Sequence, residues 1–298
     1  MALFFWIATA MVAFAANSLF CRLALSSTSI DPVSFTTLRL CFGAVTLLLL
    51  SSLRRVSKTP ITYRSIFSTT SVKGGISLFL YALCFSIAYV SLSTGTGALI
   101  LFGTVQLTMI SAGLLNKERL SLRQSLGFIM AFAGVLMLLL PSATTPSISA
   151  ATIMVLSGMA WGFYTLHGKK SNAPVISTTG NFVIGTLLAF AALLINIVLI
   201  QTGTIGSNLN IDTAGILYAL LSGAFASACG YVLWYHCLPN IRATTAALVQ
   251  LSVPVIAIAM GILFLNEPLT LLVTMSCALT IFGIYIAREK ERKSFHIR

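Results

Sequence analysis

Seven polar or aromatic side chains could bind a small polar molecule within an otherwise apolar sequence. Side-chain amides both donate and accept hydrogen bonds, an arginine can bind a carboxylate, and tyrosine and tryptophan combine an apolar ring with one polar atom. Polar groups inside apolar segments are costly, and they usually face the interior. We therefore predict a substrate-binding set that consists of Gln106, Gln250, Trp161, Tyr164, Tyr81, Asn17 and Arg39.

Structural roles remain open for several of these residues. Gln106 and Gln250 could hydrogen-bond neighbouring helices instead of a substrate. Arg39 lies about six residues into an apolar run, roughly 9 Å along a helix. It could bind a carboxylate there, or it could extend its long side chain to the membrane surface. Trp161 and Tyr164 are three residues apart and would share one face of a helix.

Acid–base and metal chemistry have little support in the sequence. All six acidic residues fall in connections, at helix ends or in the C-terminal tail, so a buried carboxylate is not expected. The six cysteines lie in apolar runs without metal-site spacing, and we interpret them as small apolar side chains. The sequence shows no H-x-x-x-H, paired-aspartate or G-x-S-x-G pattern. We expect no catalytic residue, no cofactor and no metal, and a neutral or zwitterionic ligand.

The composition indicates a lipid environment. Hydrophobic residues make up 57% of the chain and charged residues 8%, with a mean hydropathy of +0.98. A soluble domain carries about 25% charged residues. Runs of about 20 apolar residues can span a bilayer as helices. We predict ten such spans, approximately at 3–25, 33–53, 72–92, 95–115, 122–140, 149–167, 174–200, 213–237, 242–265 and 269–287.

The basic residues indicate how these spans are oriented. With a cytoplasmic N-terminus, 16 of the 18 Lys and Arg residues fall in cytoplasmic connections or the tail. The other two, Arg22 and Arg39, lie within spans or at their ends. Trp6 and Tyr235, near span ends, are interpreted as interfacial anchors. We predict a multi-pass protein of the plasma (inner) membrane with both termini in the cytoplasm.

The partners follow from this orientation. The net charge of +12 is mainly an orientation signal, so nucleic acid is not an expected partner. The expected partners are the lipid bilayer and a small-molecule substrate. The oligomeric state stays open, with a homodimer among the alternatives.

The two halves of the sequence are related. Residues 97–122 align with residues 246–271 at an offset of 149, so that Glu118 corresponds to Glu267. Each half holds five spans, an odd number, and the second copy would therefore cross the membrane upside down. We predict an all-α membrane protein of ten transmembrane helices, arranged as two inverted five-helix repeats around a central cavity. The repeats would cover residues 1–145 and 146–298.

Caps and kinks are the local features of this repeat. Asparagine suits the position before a helix, and glutamate suits the first turn because the helix dipole is positive there. Four residues are predicted to cap helices in this way: Asn116, Glu118, Asn266 and Glu267. Pro254 removes a backbone hydrogen bond within span nine and predicts a kink. Val105 stands at the equivalent position of span four, where a kink would have to come from Gly103.

Longer stretches resemble a known family. The stretch "ATTAALVQLSVPVIAIAMGILFLNEPLTLLVTMSCALTIFGIYI" (243–286) resembles the last two helices of an EamA-type repeat, within the drug/metabolite transporter superfamily. The segment that begins with "TGTGALILFGTVQ" at residue 94 resembles its first-half counterpart, and "AFAANSLFCRLAL" and "GMAWGFYTLHGKK" are similar to the opening helices. The resemblance implies ten helices, a central cavity and export or exchange of small metabolites, often amino acids.

These observations give one leading hypothesis and one alternative. The leading hypothesis is a secondary transporter that exports or exchanges small, neutral or zwitterionic, amino-acid-like metabolites by alternating access. The alternative is a membrane-embedded enzyme or a lipid-handling protein that does not transport. We expect the first, and therefore not an enzyme.

Overall fold

A computed structural model describes residues 2–52, 72–115, 121–137, 147–169, 171, 173–204, 209–241, 246 and 249–287. Within these ranges the chain forms ten helical segments and no β-strand. They are α1 Ala2–Ser27, α2 Pro32–Ser52, α3 Val72–Tyr89, α4 Thr94–Leu115, α5 Leu122–Met137, α6 Ile148–Lys169, α7 Pro174–Gln201, α8 Thr213–Asn240, α9 Ser252–Leu265 and α10 Leu271–Ala287.

The helices have the composition that a bilayer requires. Seven of those described are long and apolar enough to cross a membrane, namely α1 to α4 and α6 to α8. Lipid offers no hydrogen bonds to the backbone, so a spanning segment satisfies its own polar groups as a helix. The prediction of an all-helical, multi-pass membrane protein is confirmed.

The connection between α9 and α10 differs from the prediction. Asn266 does not precede a helix but ends α9, in a left-handed conformation with a φ angle of 51°. The N–H group of Glu267 then donates to the Gly261 carbonyl (3.2 Å), a bond typical of helix C-termini. The start of α10 is capped instead by Thr270, whose hydroxyl accepts from the Val273 N–H group (3.3 Å).

Glu267 caps a helix in the other half of the chain. Its Oε1 atom accepts hydrogen bonds from the backbone N–H group (2.8 Å) and the hydroxyl (2.9 Å) of Thr94, at the start of α4. The expectation that Glu267 lies in the first turn of the helix that follows it is therefore wrong. The carboxylate still meets the positive end of a helix dipole, as predicted, but that helix is α4. The predicted caps Asn116 and Glu118 lie outside the described residues.

This contact gives a first prediction, for Glu267→Gln. The amide keeps an acceptor but loses the charge, so we expect a destabilisation of about 1 kcal/mol. The melting temperature of the purified protein should fall by roughly 2–4 °C. Thr94→Ser keeps both donors and serves as the control that should melt like the wild type. A Glu267→Gln protein that melts at the wild-type temperature would show that the charge does not stabilise α4.

Helices α5 and α10 pack together through small residues. A Cβ atom on Gly134 would lie 2.6 Å from Thr280 Oγ1, and one on Gly283 would lie 2.6 Å from the Ala131 nitrogen. Both glycines therefore permit a backbone approach that a larger residue would prevent. At the offset of 149, Gly134 aligns with Gly283 and Ala131 aligns with Thr280. The two contacts are thus reciprocal, as in an interface with two-fold symmetry.

Two further helix pairs run antiparallel, as α5 and α10 do. In each pair, contacts further along the first helix lie further back along the chain of the second. The contacts that establish this are Thr37 with Ala189 and Gly43 with Phe182 for α2 and α7, and Gly95 with Ile258 and Met109 with Gln250 for α4 and α9.

The predicted kinks have different outcomes. A turn at Leu251 separates the helical residue Gln250 from the start of α9 at Ser252. Pro254 has no N–H group, so the Gln250 carbonyl lacks its usual helical donor at this point. By contrast, α4 continues through Gly103 without interruption. The difference between α4 and α9 follows from Pro254, which has no counterpart in α4.

Helix α8 contains a nine-residue π-helical segment, Leu221–Cys229. Such segments are rare, and they often occur at functional sites. This one packs directly against α2, where Gly223 lies on the backbone carbonyl of Arg39 so closely that a Cβ atom would overlap it. The π-helical segment therefore fixes the depth at which Arg39 sits in the bundle.

Candidate functional site

An aromatic cluster lies where α1, α3, α6 and α8 converge. Its centre is Trp161, which is 2% exposed. The ring centroid of Trp161 lies 4.9 Å from those of Tyr81 and Tyr231, and 5.5 Å from those of Phe14 and Tyr164. Aromatic pairs at these separations attract one another beyond the effect of buried area. The cluster thus holds four helices together around one indole ring.

The indole also makes a polar contact to the second half of the chain. Trp161 Nε1 donates to Gln250 Oε1 at 2.9 Å, and Gln250 Nε2 lies 3.3 Å from the Ala246 carbonyl and 3.6 Å from Met109 Sδ. Gln250 is fully buried. In this arrangement its amide binds neighbouring helices, which was the alternative to direct substrate binding, and it orients the predicted site residue Trp161.

Asn17 links α1, α3 and α8 beside the cluster. Its amide nitrogen donates to the Tyr81 hydroxyl at 3.1 Å, and its amide oxygen accepts from the Ser222 hydroxyl. Asn17 is 2% exposed, so both bonds form away from water. The structure therefore brings two predicted site residues, Asn17 and Tyr81, into direct contact, together with a serine of the π-helical segment.

Arg39 is buried beside the same rings. Its guanidinium carbon lies 5.6 Å from the ring centroid of Tyr81 and 5.2 Å from that of Phe85, within the range of cation–π attraction. Only 2% of Arg39 is exposed, so the side chain does not extend to the membrane surface. None of the ten described helices contains an aspartate or a glutamate that could neutralise this charge.

A small void lies between these residues. Its volume is about 10 Å³, room for no more than one water molecule. Six of its lining residues are Phe14, Asn17, Tyr81, Phe85, Trp161 and Tyr231. Three predicted site residues thus meet at one point, although the packing around them is tight.

Gln106 lies elsewhere. It is buried and faces a separate crevice between α4, α5 and the start of α9, lined by Gly103, Phe128, Phe132 and Leu251. The sequence could not show that Gln106 and Gln250 lie in different surroundings, because both are single amides within apolar runs. In the structure Gln106 lines this crevice, whereas Gln250 accepts a hydrogen bond from Trp161 at the centre of the aromatic cluster.

Sequence reasoning missed the contribution of α8. Tyr231 lines the void, although it was not among the predicted site residues. The prediction that Tyr235 is an interfacial anchor is wrong, because this residue is 1% exposed and its hydroxyl donates to the Tyr164 carbonyl at 3.4 Å. The signal was present in the spacing, since Tyr231, Trp234 and Tyr235 share one helix face. Trp6 is 40% exposed, as an anchor should be.

Comparisons with known proteins give matches over both halves of the chain. A model described as the EamA-like transporter family matches residues 1–140 and 148–288. An uncharacterized protein of Pseudomonas aeruginosa is 50% identical over 260 residues, which cover 87% of this chain and 85% of that protein. A probable amino-acid metabolite efflux pump of Salmonella typhimurium is 25% identical over 235 residues, 77% of each chain. One crystal structure shares the fold with a TM-score of 0.68 at 16% identity, covering 94% of this chain and 97% of that one.

Proposed function

Because the chain belongs to the EamA-like transporter family, we propose that it exports or exchanges small, neutral or zwitterionic, amino-acid-like metabolites by alternating access. The coarser statement, that it is a multi-pass membrane transporter of small molecules, follows from the family and from relatives named as transporters. The name of the Salmonella typhimurium relative, a probable amino-acid metabolite efflux pump, supports the substrate class. Family membership also favours transport over a membrane-embedded enzyme or a lipid-handling protein.

Three observations support two inverted repeats, residues 1–145 and 146–298. The family match falls into two segments of nearly equal length, one in each half. Helices that correspond at the repeat offset pack antiparallel, as inverted copies would. The contacts between α5 and α10 are reciprocal, with Gly134 on Thr280 and Gly283 on Ala131.

The position of the aromatic cluster is the observation that carries the proposal. It is built by α1 and α3 from the first half and by α6 and α8 from the second, and these are corresponding pairs of helices. Substrate sites of transporters with internal repeats lie at such an interface. We propose that Asn17, Tyr81 and Trp161 contact the substrate there, with Gln250, Arg39 and Tyr164 beside them. Gln106 would contact the substrate from the crevice between α4, α5 and the start of α9.

Alternating access requires two arrangements of these helices. The void has a volume of about 10 Å³, so a metabolite can enter only when the halves separate on one side. Glu267 and Thr94 join the two halves at one end of the bundle, and in our orientation this end faces away from the cytoplasm. The turn at Leu251 and the π-helical segment of α8 are positions where helices could bend.

A labelling experiment checks the orientation. Glu118→Cys and Pro268→Cys are introduced singly into a variant whose six native cysteines have been replaced. We expect a membrane-impermeant thiol reagent to label position 268 in intact cells, and position 118 only after permeabilisation. Both termini would then be cytoplasmic. Labelling of both positions from the same side would overturn the inverted repeat.

Efflux measurements test the function itself. Cells that overproduce the chain are loaded with a panel of labelled amino acids and related metabolites, and the rate of release is compared with that of cells carrying the empty vector. We expect faster release of at least one amino-acid-like compound. Purified protein in liposomes should reproduce this flux, and unchanged rates in both systems for every compound would overturn the proposal.

A further inference from the structure

Arg39 carries a buried positive charge that the described residues do not neutralise. Its Nη1 atom is buried and has no hydrogen-bond partner in the described part of the chain. The described helices contain no acidic residue. The acidic residue closest in sequence, Asp31, caps α2 through Oδ1 of its carboxylate, which accepts from the N–H groups of Val33 (3.0 Å) and Ser34 (2.9 Å). Burying a charge without a partner is costly, so such a group usually has a function.

The other arginine within a span provides a contrast. Arg22 Nη1 donates to the carbonyl groups of Tyr89 and Val90, both at 2.9 Å, at the end of α3. Cations are favourable at that end of a helix, so Arg22 has a complete structural explanation. For Arg39 the described residues provide a side-chain hydrogen bond with Tyr81 but leave Nη1 without an acceptor, although its position is firmly held. Its backbone is fixed by the close contact with Gly223.

The surroundings of Arg39 connect it to the void. Tyr81 and Phe85, the two rings beneath the guanidinium, are also lining residues of the void. Phe14, Trp161 and Tyr231 line the same void with their rings, and the hydroxyl of Tyr231 has no hydrogen-bond partner among the described residues. Aromatic rings and the residue with this hydroxyl thus line one small space, and the Arg39 guanidinium lies over two of the lining rings, those of Tyr81 and Phe85.

We propose that Arg39 binds the carboxylate of the transported molecule, and that the aromatic rings bind an apolar remainder. This inference rests on the proposed transport function of the same site. A guanidinium matches the planar, two-oxygen geometry of a carboxylate better than any other side chain. Because the described helices offer no counter-charge for an ammonium group, an amine on the substrate is tolerated but not required. The substrate class is therefore carboxylates with an apolar body, which includes the zwitterionic apolar amino acids and widens the proposed function to simple carboxylate anions.

Four related compounds test this selectivity: L-phenylalanine, 3-phenylpropionate, phenethylamine and L-phenylalaninamide. The first two carry a carboxylate and the last two do not. Binding is measured from the quenching of tryptophan fluorescence in the purified full-length protein, held in lipid nanodiscs. We expect both carboxylates to bind, and each amine to bind at least about 10-fold more weakly, as loss of charged hydrogen bonds predicts.

Substituted variants test whether the preference for carboxylates depends on Arg39. Arg39→Gln should weaken binding of both carboxylates by about 10- to 100-fold, and Arg39→Lys should weaken it less because the charge remains. Arg22→Gln is the matched control, with unchanged preference for carboxylates. Arg39→Met tests for a structural role: it removes an unpaired buried charge, so without ligand it should melt at or above the wild-type temperature. A lower melting temperature for Arg39→Met, together with unchanged binding by Arg39→Gln, would overturn the inference.

The remaining outcomes separate this inference from the proposed function. Equal binding of phenethylamine and 3-phenylpropionate, or no binding of either carboxylate, would overturn the carboxylate site. Flux of a compound without a carboxylate, unaffected by Arg39→Gln, would overturn it and leave transport standing. Arg39-dependent binding of carboxylates without any flux would support the site and count against transport.

Discussion

Gly223→Ala should abolish transport and sharply reduce the amount of folded protein recovered from membranes, whereas Gly185→Ala should change neither. Both glycines are buried in helices packed against α2. Both substitutions add a single methyl group. The difference in the expected result comes only from what that methyl group would meet.

At Gly223 the added methyl group would meet backbone atoms of α2. A Cβ atom there would overlap the carbonyl group of Arg39 and lie 3.0 Å from its Cα atom. Side chains can rotate away from an added methyl group, at a cost of about 1–3 kcal/mol, but a backbone carbonyl within a helix cannot. Helices α2 and α8 would have to separate, and Arg39 and Ser222 would move with them. At Gly185 the nearest atoms are 3.7 Å or more away, which is ordinary contact.

The measurements are the yield of monodisperse protein after detergent extraction, its melting temperature, and the flux of the compound found in the efflux assay. We expect Gly223→Ala to fail in all three and Gly185→Ala to match the wild type. Wild-type flux in Gly223→Ala would mean that α2 and α8 do not need this close approach. Failure of Gly185→Ala would mean that added volume anywhere along α2 is not tolerated.

The sequence was sufficient to predict the helices, because spanning a bilayer demands long apolar runs and these can be read directly. It also singled out Asn17, Tyr81 and Trp161, which line one void in the structure, since a polar group within an apolar run is costly unless it faces the interior. Contacts between residues that are distant in the sequence could not be predicted in the same way. The sequence does not show that Asn17 contacts Ser222, which is 205 residues away.

Two further features depended on tertiary packing. Glu267 was read as part of the nearest helix, but its partner Thr94 is 173 residues away. The π-helical segment has no sequence signal in its small residues, which would also suit an ordinary α-helix. Likewise, a tyrosine near the end of a span has the same composition whether it faces lipid or a neighbouring helix, and for this reason Tyr235 was placed at the interface.

Trp161→Ala should reduce flux by more than about 10-fold while the protein still inserts and folds. Trp161 contacts four other aromatic rings, and truncation of a buried tryptophan costs about 3–5 kcal/mol of packing. It also leaves the fully buried Gln250 Oε1 atom without its donor. Insertion depends on the apolar length of α6, which one substitution hardly changes. The loss should therefore appear in flux more than in the amount of protein in the membrane.

Two additional variants separate the ring from the hydrogen bond. Trp161→Phe keeps an aromatic ring and loses the N–H donor, so we expect an intermediate loss of flux. If the Trp161–Gln250 bond acts as a unit, adding Gln250→Leu to Trp161→Phe should cause little further loss, because neither group is then left buried without a partner. Trp6→Ala, at a ring that is 40% exposed, should transport like the wild type. Wild-type flux in Trp161→Ala would remove this residue, and with it the aromatic cluster, from the proposed substrate path.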